Sequence, residues 1–333
     1  MTKTSDFDYY LPQSLIAQEP SNARDHSRLM VLDRKNKSIE HKYFYEITDY
    51  INKGDLLVLN NTKVFPARLI GKKDKTNGVV EILLLNKIEP NIWQALVSPS
   101  KRIRKDTKII FAKSSMTARS LKKINDEIHL IELSGEKDTS GEILKIGRTP
   151  LPPYITKYHS ENTIKKKYQT VFASKTGATA APTAGLHFTK YLLNKIKKSG
   201  VDIDYITLHT GYATFAPIRS DQIEDHRIHK EYYNIPTQTA VKLKSAKRVV
   251  AVGTTTMRAL ESGGGSNETK LYIYPGYKFK TVDAMVTNFH LPKSSLLVLV
   301  SAFAGYDFIK HAYEEAVKRK YRFFSFGDAM LIL

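Results

Sequence analysis

Asp55-Leu-Leu-Val-Leu-Asn-Asn-Thr-Lys-Val-Phe-Pro-Ala-Arg-Leu69 is an apolar run that ends in a polar tip. Consecutive apolar residues without alternation suit a strand buried on both faces, as in the sheet of an α/β protein. Asn60, Asn61 and Thr62 then stand at the carboxyl end of that strand, where open sheets place ligand-binding residues. An Asx turn is the alternative reading of the same residues. From about residue 66 to residue 150 the texture changes. Val79 to Leu85, Trp93 to Val97, Lys108 to Phe111 and His129 to Leu133 are short β-rich runs between Lys, Asp, Gly and Asn turns, with no helical periodicity. This pattern predicts a small β-barrel subdomain, residues 66–150, inserted into an α/β domain made of residues 1–65 and 151–333. Thr149-Pro-Leu-Pro-Pro-Tyr154 is a stiff connector back to the larger domain.

Beyond the connector the chain repeats strand, loop and helix, which implies a mostly parallel sheet with helices. Val201 to His209 and Arg248 to Val252 read as strands, the second turning at Gly253 into a helix from Met257. A basic amphipathic helix runs from Tyr191 to Ser199 and stops at Gly200, a short helix covers His41 to Asn52, and a further helix covers Phe308 to Lys320. Leu271-Tyr-Ile-Tyr-Pro-Gly-Tyr277 reads as a strand and turn, after a flexible Gly263-Gly-Gly265 insert. Leu296-Leu-Val-Leu-Val-Ser-Ala-Phe303 has strand length, too short to cross a bilayer.

The 333 residues carry 52 Lys and Arg against 33 Asp and Glu, a formal charge of +19, which points to a polyanionic partner such as nucleic acid. A general lysine bias is the bland alternative. The run Lys101-Arg-Ile-Arg-Lys105 suits phosphate contacts through Lys101, Arg102, Arg104 and Lys105, or equally a solvated hairpin tip. With no cysteine there is no disulfide framework, thiolate metal site or thiol nucleophile. The first residues lack an apolar signal core, so a soluble cytoplasmic protein is expected, with no membrane association.

Gly177-Ala-Thr-Ala-Ala-Pro-Thr-Ala-Gly-Leu-His-Phe188 is a neutral island in this basic chain. Small side chains let backbone approach another backbone or a flat ligand, so a pocket wall and a tight structural crossing are both open. Histidines recur at loop-like positions, namely His187, His209, His226 and His290. Imidazole titrates near neutral pH, which suits a general base. His226 and His229 stand at helical spacing, as a metal pair would, but Glu224-Asp-His-Arg-Ile-His-Lys-Glu231 is equally a salt-bridged polar helix. The sequence contains no Gly-x-Ser-x-Gly, Walker or Gly-x-Gly-x-x-Gly pattern.

Several motifs together resemble one family. They are Gly177 to Phe188, Leu208-His-Thr-Gly-Tyr-Ala-Thr-Phe215, Glu224-Asp-His226, Gly253-Thr-Thr255 with Arg258 and Glu261, Tyr274-Pro-Gly-Tyr277, Thr287-Asn-Phe-His-Leu-Pro292 and Gly327-Asp-Ala-Met330. Leu15-Ile-Ala-Gln18 and Asn60-Asn-Thr62 keep the same order. The family is the S-adenosylmethionine:tRNA ribosyltransferase-isomerases of queuosine biosynthesis. The resemblance implies an α/β fold carrying a β-barrel. It also implies transfer and isomerisation of the ribosyl part of S-adenosylmethionine onto 7-aminomethyl-7-deazaguanine at a tRNA wobble position, yielding epoxyqueuosine-tRNA, adenine and methionine. S-adenosylmethionine is then a co-substrate, no metal is used, and a monomer is expected. His187, His290, His209, His226 and Asp225 become candidates for the catalytic work. Gly177, Pro182, Thr183, Gly185, Gly253, Thr254, Thr255, Arg258, Asn288, Asn60 and Asp328 become candidates for binding substrate. Replacing His187 or His290 by alanine is expected to lower turnover far more than stability. Ala213 stands where the family usually has a second glycine, which puts the geometry of that loop in question.

Overall fold

The computed structural model describes residues 2–135, 138–157, 160–211, 217–228 and 230–333. Ala213 and His229 lie outside them. The chain forms β1 (Arg28–Asp33), β2 (Ser38–Tyr43), β3 (Asp55–Asn60) and the short β4 (Thr62–Val64). It then enters the barrel strands β5 (Arg68–Lys73), β6 (Val79–Glu89), β7 (Ile92–Ser98), β8 (Lys108–Ile110), β9 (Thr117–Lys123) and β10 (Ile128–Ser134). Helices α1 (Thr139–Ile146) and α2 (Glu161–Lys167) lead to β11 (Lys175–Ala178), α3 (Lys190–Lys198), β12 (Asp202–Leu208) and β13 (Glu231–Ile235). The remainder is α4 (Thr237–Ser245), β14 (Arg248–Val252), α5 (Thr254–Ser262), β15 (Gly265–Thr269), β16 (Ala284–Asn288), α6 (Ser295–Ala304), α7 (Tyr306–Lys318) and β17 (Ala329–Ile332).

The described residues build a nine-stranded sheet in the order β15-β13-β12-β3-β14-β16-β17-β1-β2, and a closed barrel from β5 to β10. Parallel pairing is concentrated in the centre, where β12, β3, β14 and β16 run side by side, while β13, β15 and β2 pair antiparallel towards the edges. All six residues of β3 are buried. The two-residue period of a strand divides them between the faces. Leu56 and Val58 pack among the residues of α5, α6 and α7, whereas Leu57 and Leu59 meet Phe44, Leu192 and Ile196 on the other side. The barrel has its own core, including Leu69, Ile82, Ala95 and Ile131. Its entry and exit are joined by a narrow neck, in which Arg68 and Arg148 exchange both backbone hydrogen bonds, at 3.1 and 2.8 Å.

Several elements differ from the sequence expectation. The run from Leu296 to Phe303 is helical, because Ser294 caps α6 by accepting from the Leu297 amide and Gly305 ends it at φ +96°. An apolar run of that length does not distinguish a buried helix from a buried strand. Leu271 to Tyr277 is a loop turning at Pro275-Gly276, and the edge strand lies just before it at β15. His41 to Tyr43 finish β2, and only Phe44–Asp49 coils, as a 3-10 helix. The polar helix expected over Glu224 to Glu231 reduces to the 3-10 turn Ile223–Asp225, with His226 extended after it and Glu231 opening β13. The β-only reading of residues 66–150 missed α1, which Asp138 caps by accepting from the amides of Ser140 and Gly141. Among the described residues no helix is long and apolar enough to cross a membrane, and no group of three His, Cys, Asp or Glu side chains gathers as metal ligands.

Candidate active site

Because the central strands are parallel, their carboxyl ends open on one edge of the sheet and the loops leaving them converge there. The loops after β3, β12, β14 and β16 carry Asn61 and Thr62, His209 and Thr210, Gly253, and Phe289 and His290. The Gly253 backbone holds φ +92°, a conformation that favours glycine, as the chain turns from β14 into α5.

A cleft of about 1210 Å³ separates this edge from the barrel. Phe65, Leu85, Trp93 and Leu144 form its barrel wall, and Gly177, His209, Asp225, His226, Glu231 and Arg258 its sheet wall. The His209 ring lies over Gly177 so closely that a Cβ there would stand 2.6 Å from Cε1 and 2.7 Å from Nε2. The glycine at 177 is therefore a steric requirement of the histidine. Thr62 Oγ1 lies 2.8 Å from His209 Nδ1, and burial lowers the imidazole pKa, so the ring is neutral at pH 7. The His226 ring meets Tyr272 edge-on at 5.3 Å, while Asp225 is exposed.

Arg258 and Glu231 form a salt bridge with both side chains buried. Arg258 Nε also donates to the Leu271 carbonyl at 2.9 Å, and the Gly211 amide donates to Glu231 Oε1. Arg258 Nη2 has no acceptor among the described residues, although it is buried. An unpaired buried guanidinium donor is uncommon, and here it belongs to a residue of the cleft wall. Glu261, on the same helix, accepts from the backbone amides of Lys280, Thr281 and Val282 and so fixes a loop.

A second cavity, of about 60 Å³, adjoins the cleft and shares Thr210 and Leu296 with it. Pro182, Thr183, Gly253, Thr254, Thr255, Asn288 and His290 line it. His290 Nε2 is 2.9 Å from Thr287 Oγ1, and desolvation pushes the ring pKa down to about 3. Asn288 Nδ2 donates to the Phe324 carbonyl and to His187 Nε2, both at 3.1 Å. Two acceptors face the nitrogen, so the amide orientation is fixed and Asn288 Oδ1 points elsewhere, buried and without a partner.

The remaining candidates lie outside both cavities. His187 accepts from Asn288, which assigns its proton to Nδ1, and that N–H donates to Ser27 Oγ at 2.7 Å. The ring stacks on Phe44 at 4.9 Å. With both nitrogens used, His187 holds Asn288 in place. His187→Ala should cost about 2–4 kcal/mol of stability through a cavity and lost hydrogen bonds, read from the denaturant midpoint at constant slope. Gly185 is needed for packing, since a Cβ would sit 2.8 Å from the Phe172 ring. Asn60 ties strands together, accepting from the amides of Thr62 and Leu208 and donating to the Leu208 carbonyl. Asp328 is enclosed by Arg28 and Arg322, which donate to both of its oxygens. Lys101, Arg102, Arg104 and Lys105 are exposed on the barrel, away from the lining of either cavity. The sequence reading missed Arg219 and Arg227, exposed residues of the cleft wall with no ion pair among the described residues. Only their position after the His209 loop and beside His226 could have signalled them.

The two buried histidines make stability depend on acid. His187 titrates at about 4 and His290 at about 3, both lowered by desolvation from 6.5. Between those values the unfolded chain binds protons that the folded chain does not, so stability is complete above pH 6.5 and is lost as pH falls. At pH 5 each histidine should remove up to about 2 kcal/mol, at 1.36 kcal/mol per unit. Urea midpoints measured from pH 7.5 to pH 5 check this, and His290→Gln should flatten the slope.

The family described as queuosine biosynthesis protein matches residues 4–332. Among curated proteins, the S-adenosylmethionine:tRNA ribosyltransferase-isomerase of Sulfurihydrogenibium sp. is 54% identical, over 99% of this chain and 100% of its own length. The proteins of the same name from Thermotoga maritima and Clostridioides difficile are 50% and 48% identical, each over 99% of this chain and over 100% and 99% of their own lengths. The crystal structure of the S-adenosylmethionine tRNA ribosyltransferase from Thermotoga maritima superposes with a TM-score of 0.56 at 41% identity, covering 99% of this chain and all of that one.

Proposed function

The chain belongs to the S-adenosylmethionine:tRNA ribosyltransferase-isomerase family of queuosine biosynthesis, and from that premise we propose that the cleft between sheet and barrel holds both substrates. The enzyme transfers and isomerises the ribosyl moiety of S-adenosylmethionine onto 7-aminomethyl-7-deazaguanine at the tRNA wobble position, releasing adenine and methionine. The size of the cleft carries the assignment. At about 1210 Å³ it exceeds the 300–1,000 Å³ usual for one small ligand and has room for a nucleoside co-substrate beside a tRNA base.

The chemistry needs a base that removes a proton next to the sulfonium or from the attacking amine, and support for adenine as it leaves. His209 suits the first role, being neutral, half-buried and held through Nδ1, which leaves its other nitrogen for the substrate. His226 and Asp225 stand on the same wall, and His290 and the Gly253 to Thr255 turn serve the smaller cavity. Arg258 Nη2 offers its donor to a substrate oxygen. Part of the same reading is a monomeric cytoplasmic enzyme that needs no metal, with an α/β catalytic domain over residues 1–65 and 151–333 and residues 66–150 as an inserted unit.

Arg219 and Arg227, exposed on the cleft wall, are the cations assigned to tRNA phosphates, with Lys101 to Lys105 as a further contact. Each phosphate contact releases counterions, so Arg219→Ala and Arg227→Ala should each weaken tRNA binding and reduce the slope of log K against log salt by about 1. Filter binding across salt concentrations measures this, and unchanged slopes would remove both residues from the interface. The function itself is tested with purified enzyme, S-adenosylmethionine and tRNA bearing the aminomethyl base. Adenine and methionine should appear in step with modified tRNA. Release of S-adenosylhomocysteine instead would make the protein a methyltransferase.

A further inference from the structure

We propose that the small cavity beside the cleft takes the α-amino and α-carboxylate groups of the methionyl end of S-adenosylmethionine, with Thr210 and Asn288 as specificity-determining residues. The inference rests on the functional reading above and adds where one end of the co-substrate is held.

Charge is the first argument. No Asp, Glu, Lys or Arg lines the cavity, and His290 is neutral there. Burying an uncompensated ion in such a place is costly, so the group that enters should carry no net charge. A phosphate fails this condition, whereas an α-amino-carboxylate meets it with one charge of each sign.

Hydrogen bonding is the second. Donors come from the start of α5, where the first backbone N–H groups have no partner within the helix and suit an anionic oxygen. Thr210 lines the same space, and its hydroxyl is buried without a partner among the described residues. Asn288 lines it too, and its Oδ1 is an acceptor buried without a partner among them, with the amide orientation fixed by the bonds its nitrogen makes. A carboxylate can satisfy the donors but not this oxygen. An ammonium satisfies the oxygen, and an α-amino-carboxylate presents both groups one carbon apart.

Size is the third. At about 10–15 Å³ for each water-sized group, 60 Å³ admits roughly four to six such groups. The amino-acid head has five non-hydrogen atoms, and adenine, with ten, is too large. Connectivity agrees, because Thr210 and Leu296 belong to both cavities. A head group held here directs the rest of the co-substrate into the cleft whose wall carries His209.

The test uses two inhibitors that share an adenosyl thioether and differ at this end. S-adenosylhomocysteine has the amino-acid head, and 5′-methylthioadenosine lacks it. Their inhibition constants are measured against S-adenosylmethionine at saturating substrate tRNA, following adenine release. Wild type should prefer S-adenosylhomocysteine by at least about tenfold, as expected for hydrogen bonds to charged groups. Thr210→Val, which removes a hydroxyl that bonds no described residue, should weaken S-adenosylhomocysteine roughly tenfold and leave methylthioadenosine within twofold. Asn288→Ala should do the same, with its melting curve recorded because Asn288 also holds His187. Equilibrium dialysis with both ligands in the presence of tRNA reads the same ratio where a variant has no turnover. Equal affinities in wild type, or variants that weaken both ligands alike, would overturn the assignment. Absence of adenine release from wild type would instead bring down the functional reading on which it stands.

Discussion

Arg258→Met should destabilise the folded chain by about 3–5 kcal/mol, because it removes a buried cationic partner of the buried Glu231 carboxylate. The same change removes the bond from Nε to the Leu271 carbonyl, and with it an attachment of the loop that carries Tyr272 to the cleft. The cost lies in leaving one ion behind, so the double variant Arg258→Met, Glu231→Leu should recover most of the loss. Arg258→Lys separates stability from chemistry. A lysine keeps the charge but cannot reproduce the planar fork that reaches Glu231 and Leu271 and carries a third, unpaired nitrogen, proposed above to meet substrate. It should retain much of the stability and lose at least about tenfold in kcat/KM, as expected for a charged hydrogen bond to substrate. Denaturant titration and steady-state adenine release on the three variants decide this. If Arg258→Lys turns over like wild type, Nη2 does not touch substrate.

Gly177→Ala should have the second large effect, on rate more than on stability. The new methyl would fall 2.6–2.8 Å from three atoms of the His209 ring, and ordinary contact begins at 3.4 Å. The ring must therefore retreat by roughly 1 Å, which strains its contact with Thr62 Oγ1. A displacement of that size at a reacting group costs about 10²-fold in turnover. Overpacking at one loop should cost about 1–3 kcal/mol, so the variant remains folded. Single-turnover rates beside thermal melts give both quantities. Turnover within threefold of wild type would take His209 out of the proposed chemistry.

How much of this was legible in the sequence follows from what each signal encodes. The unbroken apolar run Leu56 to Leu59 announced a two-faced strand, and it is the buried centre of the sheet. The spaced β runs after residue 66 announced the barrel. Leu296 to Phe303 misled because hydrophobicity reports burial and not conformation; the helix was written in Ser294 and Gly305, at its ends. The neutral island from Gly177 to Phe188 separated into parts with different duties. Gly177 makes room for a histidine, Pro182 and Thr183 line the small cavity, and Gly185 and His187 pack inside. Composition marked the whole stretch as unusual but could not divide it, since those duties depend on Phe172, His209 and Asn288, which are distant in sequence. Thr210 and Arg258 stood in recognisable motifs, yet only three-dimensional bookkeeping of donors and acceptors shows which of their atoms lack partners.

The paired backbone bonds between Arg68 and Arg148 have a modular consequence. Neighbouring strands place those residues only about 5 Å apart, a gap that a tight turn spans. Neither sheet core borrows a side chain from the barrel. Joining Ala67 to Thr149 through a short turn would thus excise the barrel with little loop-closure entropy and leave both faces of the sheet covered. The chain is in this sense a cassette. The proposed chemistry lies on the frame, and the opposite wall of the cleft is a part that can be exchanged between relatives to ask which half recognises RNA.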